Sequence, residues 1–417
     1  MKKIRTQRKS LLFFALFIGH SIFAQKLDSQ QKDFLLKNSQ IIYRDSILKE
    51  ANWAKVLEKV KDKRIVLLGE LNHGSKENFL VRNELIKFLH QKGDFRLILF
   101  EAGLGEAYVV NRYKAQLDPQ VMTYNFMGQW QNHEFKDLMG YIKEQNLNMG
   151  GFDIQRGFAG FFEKLLFQEC EKENLDSSLF KMLETNFLGL KRKLTNRKSR
   201  IVDFEDEAEI CLSSYHKIHH HLNLKTGDSL SEDRLFVLKT IENRLEYIEY
   251  MLSFKKDNNW TKRWAARDSA MANNLKWLIE VIYPQEKVLV IGHNYHISNY
   301  NSEEAVMAEF LKEIYGDQMY SIGFFLGKGN YAQGGEKTLS AADSTSLDIK
   351  HIINIQKGLV NFLPTANQNE KGGDWLHENI IVNDSFIDLK SSNQLILAKS
   401  FDAIICIQHS SIPSFYE

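Results

Sequence analysis

Cysteine is scarce: 417 residues contain three, Cys170, Cys211 and Cys406, with no C-x-x-C spacing among them. That excludes a disulfide-built scaffold. Four prolines and 24 glycines leave no room for a Pro-rich or collagen-like segment. An excess of charge of one sign is also missing. Fifty-four Lys and Arg face 53 Asp and Glu, a net charge of +1, which argues against a protein that holds nucleic acid by neutralising phosphates. No nucleic-acid partner is expected. Beyond the first 24 residues no stretch of 18 unbroken apolar residues occurs, so no membrane-spanning helix is expected. No G-x-S-x-G elbow and no G-x-x-x-x-G-K-[ST] loop is present, which disfavours a serine hydrolase and a phosphate-binding NTPase. What is there is an ordinary globular composition, 43% hydrophobic and 26% charged, long enough to bury a large core.

The N-terminus stands apart. Lys2, Lys3, Arg5, Arg8 and Lys9 precede an apolar run from Leu11 to Phe23, which ends in small residues at Ser21 and Ala24. This is the layout of a secretory signal peptide over residues 1–24, cleaved after Ala24, with an uncleaved anchor as the alternative. No cysteine follows the run, which closes the lipid-attachment route. Removing residues 1–24 takes away five positive charges and leaves a net charge of −4. The expected location is periplasmic or secreted, with no membrane span after cleavage.

Residues 25–417 read as an α/β domain with a central, mostly parallel sheet flanked by helices. Four segments read as buried strands: Arg64–Gly69, Phe95–Phe100, Met149–Ile154 and Lys287–Gly292. Three of them are continuous runs of Val, Ile, Leu and Phe that suit a sheet covered on both faces. Ser75 is placed to N-cap a helix carrying Phe79, Leu80, Leu85, Ile86 and Leu89, with Gly93 where a C-cap belongs. From about residue 157 to 283 strand signals vanish and helical spacing takes over. This is read as a large helical insertion that folds over the carboxyl ends of the strands. A helix near Glu303–Ile314, a strand or hairpin near Tyr320–Tyr331, a polar loop over Gly334–Ser346 and a last strand over Phe401–Ile407 follow.

The polar residues at the strand ends carry the chemistry. The first strand runs into Glu70, Leu71, Asn72 and His73; the second into Glu101; the third carries Asp153 and Gln155; the fourth ends in His293, Asn294, Tyr295 and His296. In open α/β sheets, ligands bind beyond the carboxyl ends of the strands. If these strands are neighbours, Glu70, His73, Glu101, Asp153, His293 and His296 converge on one cleft. Three imidazoles and three carboxylates supply acids, bases and metal-ligand types. Water activated by a His–carboxylate pair, or on a metal, is the chemistry left open.

The run Leu68-Gly69-Glu70-x-x-His73-Gly74-x-x-Glu77 resembles the signature of the erythromycin esterase family. Arg82, Glu101-Ala102-Gly103, Gly151-Phe152-Asp153-Ile154-Gln155, Arg267-Asp268-x-x-Met271-Ala272-x-Asn274 and Gly292-His293-Asn294-x-His296 are similar too, in order from about 63 to 297. The resemblance implies hydrolysis of a small-molecule ester by activated water, without a covalent intermediate. It implies His73 as general base and Glu70 as its acidic partner. Glu101 is the second pocket carboxylate, and Arg82 a cation that steadies a carboxylate or an oxyanion. His293 and His296 are paired histidines, one for the ester carbonyl and one for water. Asp153, Gln155 and Asn294 are assigned to substrate binding. No cofactor is expected; a divalent metal is kept as an alternative, with zinc the fitting ion. A second alternative is a haem- or ligand-binding protein in which His293, Tyr295 and His296 supply axial ligands.

Weaker features read structurally. His216, His219, His220 and His221 suit a solvated helix face rather than a metal site. Trp260, Trp264 and Trp277 suit core packing before a pocket roof. Tyr108, Tyr113, Tyr124 and the His133–Glu134 pair carry no usable spacing.

Overall fold

The computed structural model describes residues 27–43, 52–157, 160–224, 230–257, 260–365, 370–385 and 393–416; the signal-peptide segment lies outside these. Eleven strands occur among them. They are β1 (Gln40–Tyr43), β2 (Ile65–Leu68), β3 (Phe95–Gly103), β4 (Asn148–Asp153), β5 (Lys287–Ile291), β6 (Met319–Ala332), β7 (Glu336–Thr338), β8 (Val360–Pro364), β9 (Ile380–Ile381), β10 (Gln394–Leu395) and β11 (Ala403–Ser410). The main sheet has the order β1-β8-β11-β6-β2-β5-β3-β4, with β7 paired to the end of β6. From β11 to β4 every neighbouring pair is parallel. Only β8 and β7 run against that direction. Every residue of β2, and Val288 to Ile291 of β5, is fully buried, as the apolar runs demand of strands covered on both faces.

The four strands read from the sequence all form, and β2 and β5 are central neighbours. The helix after β2 spans Lys76–Gly93, but its left-handed terminal residue is Asp94 (φ 58°), one position past the glycine expected there. Aspartate tolerates that conformation because its short polar side chain bonds locally. Ser75 occupies the N-cap position without a side-chain cap bond. Instead its hydroxyl bonds that of Ser410 at 2.7 Å, tying the helix start to β11. The Tyr320–Tyr331 region is one 14-residue strand, β6, whose far end turns back into β7 inside the stretch expected to be loop.

The segment from about 157 to 283 is helical where described: Phe161–Lys172, Leu183–Thr195, Glu205–Asn223, Glu232–Asp257 and Trp260–Trp277, with short 3₁₀ and π-helical turns between and after them. Its first four helices pack on one another and on the Leu104–Tyr113 helix after β3. Among the described residues of this segment, those that line the site, Trp264 and Arg267, come from Trp260–Trp277, which lies against β4. The insertion therefore meets the site through one helix, not as a cover over the whole sheet edge.

Candidate active site

β2 delivers Glu70 just past its carboxyl end, fully buried. Glu70 Oε1 accepts from His73 Nδ1 at 2.6 Å, and Oε2 accepts from Arg82 Nη1 at 3.0 Å. The His73 ring is thereby held as the Nδ1–H tautomer, with Nε2 turned into a cavity of about 420 Å³. Burial would raise the Glu70 carboxyl, but Arg82 and His73 outweigh it and hold it below its ordinary value. For His73, burial favours the neutral ring, yet Glu70 dominates and raises its pKa. This setting makes His73 a stronger base that is also more readily protonated.

Arg82 lies behind this pair. Its side chain is buried, its guanidinium carbon sits 4.9 Å from the Trp130 ring centre, and it does not line the cavity. It steadies Glu70 and cannot meet an oxyanion. Its Nε and Nη2 are buried without hydrogen-bond partners, a cost accepted for placing a charge beneath Glu70.

β3 delivers Glu101, which lines the cavity. Its Oε1 accepts from Arg267 Nη2 at 2.8 Å and its Oε2 from the His293 backbone N–H at 3.0 Å. Burial is overcome by His296, Arg267 and His73, which hold this carboxyl well below the ordinary range. Asp153 ends β4 and takes Arg267 Nε at 3.2 Å and Nη2 at 2.7 Å. Arg267 is thus clamped between two carboxylates, with its pKa driven further up despite burial. Its guanidinium faces the cavity from the Trp260–Trp277 helix.

The two late histidines differ. His293 accepts the Tyr295 backbone N–H at Nδ1 (3.2 Å), so its proton is on Nε2, which donates to the Leu71 carbonyl at 2.8 Å. Both ring nitrogens are committed. Burial and the nearby His73 push its pKa down to about 4. His293 is a neutral strut between β5 and the loop after β2, not a free base. His296 donates from Nδ1 to Asp268 Oδ1 at 2.8 Å. Its Nε2 lies 3.0 Å from Arg267 Nη1 and 3.4 Å from Glu101 Oε1. Against burial, Asp268 and Glu101 lift its pKa to about 9. The short Nη1 contact is that of a neutral ring accepting at Nε2, whereas the two carboxylates favour the imidazolium, so the ring stands between two charge states.

None of the three expected substrate contacts lines this cavity: Asp153 sits behind Arg267, and Asn294 and Gln155 are turned elsewhere. Asn294 gives its amide to Phe324, donating from Nδ2 to the carbonyl (2.7 Å) and accepting the N–H at Oδ1 (3.0 Å). It clamps the turn after β5 to β6, and it borders a separate hollow of about 300 Å³ that has Tyr295 in common with the first. Gln155 donates its backbone N–H to Asp153 at 3.0 Å and is absent from the lining. Trp264, Tyr331, Gln333, Asp384 and Ser385 complete the wall. Trp264 is therefore a wall residue, while Trp277 packs edge-on to Phe236 and the Trp260 side chain lies outside the described residues. Arg267 and Asp268 carried a legible signal as part of the matched run, but nothing local gave them a role.

His216 and His220 are exposed on the Glu205–Asn223 helix, and His219 meets Glu242 at 3.3 Å. Among the described residues no three His, Cys, Asp or Glu side chains are gathered as metal ligands. The guanidinium of Arg267 occupies the position between Glu101 and Asp153. Tyr295 donates to Glu304 at 2.7 Å, so it and both late histidines are engaged by protein groups rather than set out as axial ligands. The three cysteines are buried and unpaired. No helix among the described residues is long and apolar enough to cross a membrane.

An open, mostly parallel α/β sheet with acid–imidazole pairs beyond its strand ends defines a hydrolase-type site. The chain belongs to the erythromycin esterase family, whose sequence model matches residues 90–410, and it is a hydrolase. That match begins after Glu70, His73 and Arg82. The chain is 26% identical over 399 residues to "Putative hydrolase YbfO" of Bacillus subtilis (strain 168), covering 85% of this chain and 86% of that one. It is 24% identical over 309 residues to erythromycin esterase type II of Escherichia coli, covering 66% and 71%. Among solved structures, a Bacillus cereus protein superposes with a TM-score of 0.73 at 21% identity, over 93% of this chain and 99% of that one. An erythromycin esterase mutant, EreC, in its open conformation, gives 0.64 at 17% identity over 91% and 99%. These structural likenesses show the shared fold.

Proposed function

We propose that this chain is an exported hydrolase of carboxylic esters that uses water activated by His73. The observation that carries the reading is the 2.6 Å Glu70–His73 bond, which leaves Nε2 open to the cavity. A water molecule beside Nε2 loses a proton to the ring as its oxygen attacks the acyl carbon. The carbonyl oxygen becomes an oxyanion facing Arg267, the cation that lines the cavity. As the tetrahedral intermediate collapses, the ester C–O bond breaks and His73 Nε2–H returns its proton to the leaving alkoxide. The products are an acid and an alcohol. Glu70 fixes the His73 tautomer, Arg82 holds Glu70, and Glu101 and Asp153 hold Arg267. No metal takes part in this scheme. The ester is a small molecule that fits about 420 Å³; a macrolide ester is one candidate, because one relative is an erythromycin esterase. Export rests on residues 1–24 and places the enzyme in the periplasm or outside the cell.

The test is an ester panel, with amides and phosphate esters as controls, assayed with wild type and His73→Ala. Turnover of a carboxylic ester by wild type, lost in a folded His73→Ala variant, is expected. A wild type inert on every carboxylic ester, or a folded His73→Ala variant as fast as wild type, overturns the reading.

A further inference from the structure

Asp268 is fully buried beside the cavity, one residue after Arg267. Its Oδ1 accepts two bonds, from His296 Nδ1 at 2.8 Å and from the Met307 backbone N–H at 2.8 Å. Its Oδ2 is buried with no hydrogen-bond partner. A carboxylate kept half-satisfied in the interior is costly unless its charge is used. The group that uses it here is His296. With Nδ1–H committed to Asp268, the ring can exchange a proton only at Nε2, the atom that faces Arg267 Nη1 and Glu101 Oε1. In the neutral ring Nε2 is an acceptor and takes Nη1 of Arg267. In the protonated ring Nε2–H is a donor, its acceptor is Glu101, and Nη1 loses its partner. Nε and Nη2 of Arg267 stay bound to Asp153 and Glu101 in either case.

We propose that Asp268 is a positioning residue of the reaction: it confines the exchangeable proton of His296 to Nε2, and so decides whether Arg267 Nη1 is tied to the ring or released to the carbonyl oxygen of the substrate. This rests on the ester-hydrolase reading for its catalytic meaning, but the histidine geometry stands by itself. The charged groups that face His296 are Asp268 and Arg267 on one helix, Glu101 on β3, and His73 and His293 across the cavity. Asp268 and Glu101 favour the releasing state, burial and Arg267 the tied one, and the 3.0 Å Nη1–Nε2 contact is that of the tied state. Asp268 thereby acts on substrate through two other side chains.

The experiment uses the full chain labelled with ¹⁵N in its histidines. Long-range ¹H–¹⁵N imidazole spectra across a pH series report the tautomer and titration of His296, assigned by His296→Asn. Wild type is expected to keep Nδ1 protonated throughout and to titrate at Nε2. Asp268→Asn keeps the shape and one acceptor, so it folds; its His296 titration should move to lower pH. Its kcat on an ester that wild type cleaves should fall about 10-fold to 100-fold, the usual cost of losing a carboxylate behind a functional imidazole, with KM little changed. Asp268→Ser is the second variant should the amide disturb the Met307 turn. A wild-type His296 protonated at Nε2 alone, or an unchanged His296 titration in both folded variants, overturns the proposal. So does an unchanged kcat. Failure of the ester reading would show differently, as no turnover by wild type on any ester.

Discussion

Two of the buried ion networks among the described residues are built differently. In the helical half, Arg244 reaches Glu106 at 2.6 Å and Glu184 at 3.2 Å, and Arg156 reaches Glu184 at 3.1 Å. Tyr215 donates to Glu184 at 2.7 Å. Two guanidiniums hold two carboxylates and no histidine is involved; the Lys191 ammonium, donating to the Arg156 carbonyl at 3.0 Å, stands beside them, and burial lowers its pKa to about 8. At the strand ends the carboxylates Glu70, Glu101, Asp153 and Asp268 face only Arg82 and Arg267. The deficit there is met by His73 and His296, groups that can gain and lose a proton. A network balanced by arginines is fixed; a network balanced by imidazoles can take up and release protons. Burial of charge alone does not mark an active site. What marks it is the titrating member and the cavity onto which it opens.

The sharpest way to separate the two is to remove a cation from the fixed one. Arg244→Met should leave Glu106 buried without its ion-pair partner and Glu184 with Arg156 and Tyr215 alone, and cost about 3–5 kcal/mol of stability. Urea unfolding would measure this, and activity should fall only as far as the fold is lost. The opposite pattern is expected for Glu70→Gln. Its kcat should fall about 10²-fold, the lower end of what a general base contributes, with the secondary-structure spectrum unchanged. If Arg244→Met instead proved stable but inactive, the division between the networks would collapse.

pH should distinguish them next. A base must be neutral to work, and Glu70 raises the His73 pKa above its ordinary 6.5. The acid limb of kcat/KM should therefore lie above 6.5, and Glu70→Gln should shift it to lower pH. For stability, a histidine raised on folding stabilises fully below its unfolded value, and that contribution fades as pH rises through its folded value. His296, lifted to about 9, should thus weaken the cavity side between neutral pH and about 9. Glu184, held low by Arg244, loses its contribution only as pH falls through the acid range. Hydrogen exchange at pH 7 and pH 9.5 should show loosening around His296 and none around Glu184. The smallest effect is expected at the exposed His220, where Ala should change stability by less than about 0.5 kcal/mol and leave kcat alone.

Much of this was legible in the chain, and the illegible parts have physical reasons. β2, β3 and β5 announced themselves because a strand covered on both faces must be apolar throughout. Short β1 and β8 did not, since a four- or five-residue antiparallel strand with a buried Asn361 and a terminal proline has no such signature. The Glu70–His73 pair could be read because its members are three residues apart. Arg267 could not be given a role, because its partners Asp153 and Glu101 lie 114 and 166 residues away. Asn294 misled for another reason: a polar residue beside two histidines reads as a contact, yet its amide pairs with the Phe324 backbone of β6, just past the point where β2 stops pairing with that strand. Sequence proximity to chemistry is not exposure to substrate.

The Leu71 carbonyl has a consequence for how the enzyme is made. It receives the His293 ring, 222 residues onward, and the Ser385 hydroxyl, 314 residues onward. The strand that carries the base, β2, is likewise flanked only by β5 and β6, both made long after it. A ribosome that has just finished the Glu70–His73 turn has therefore made nothing for it to lean on. The nascent segment must stay unpaired through the whole helical region, an interval in which its four consecutive apolar residues are open to chaperones. Catalytic competence then arrives near the end of synthesis, after the scaffold and not before it.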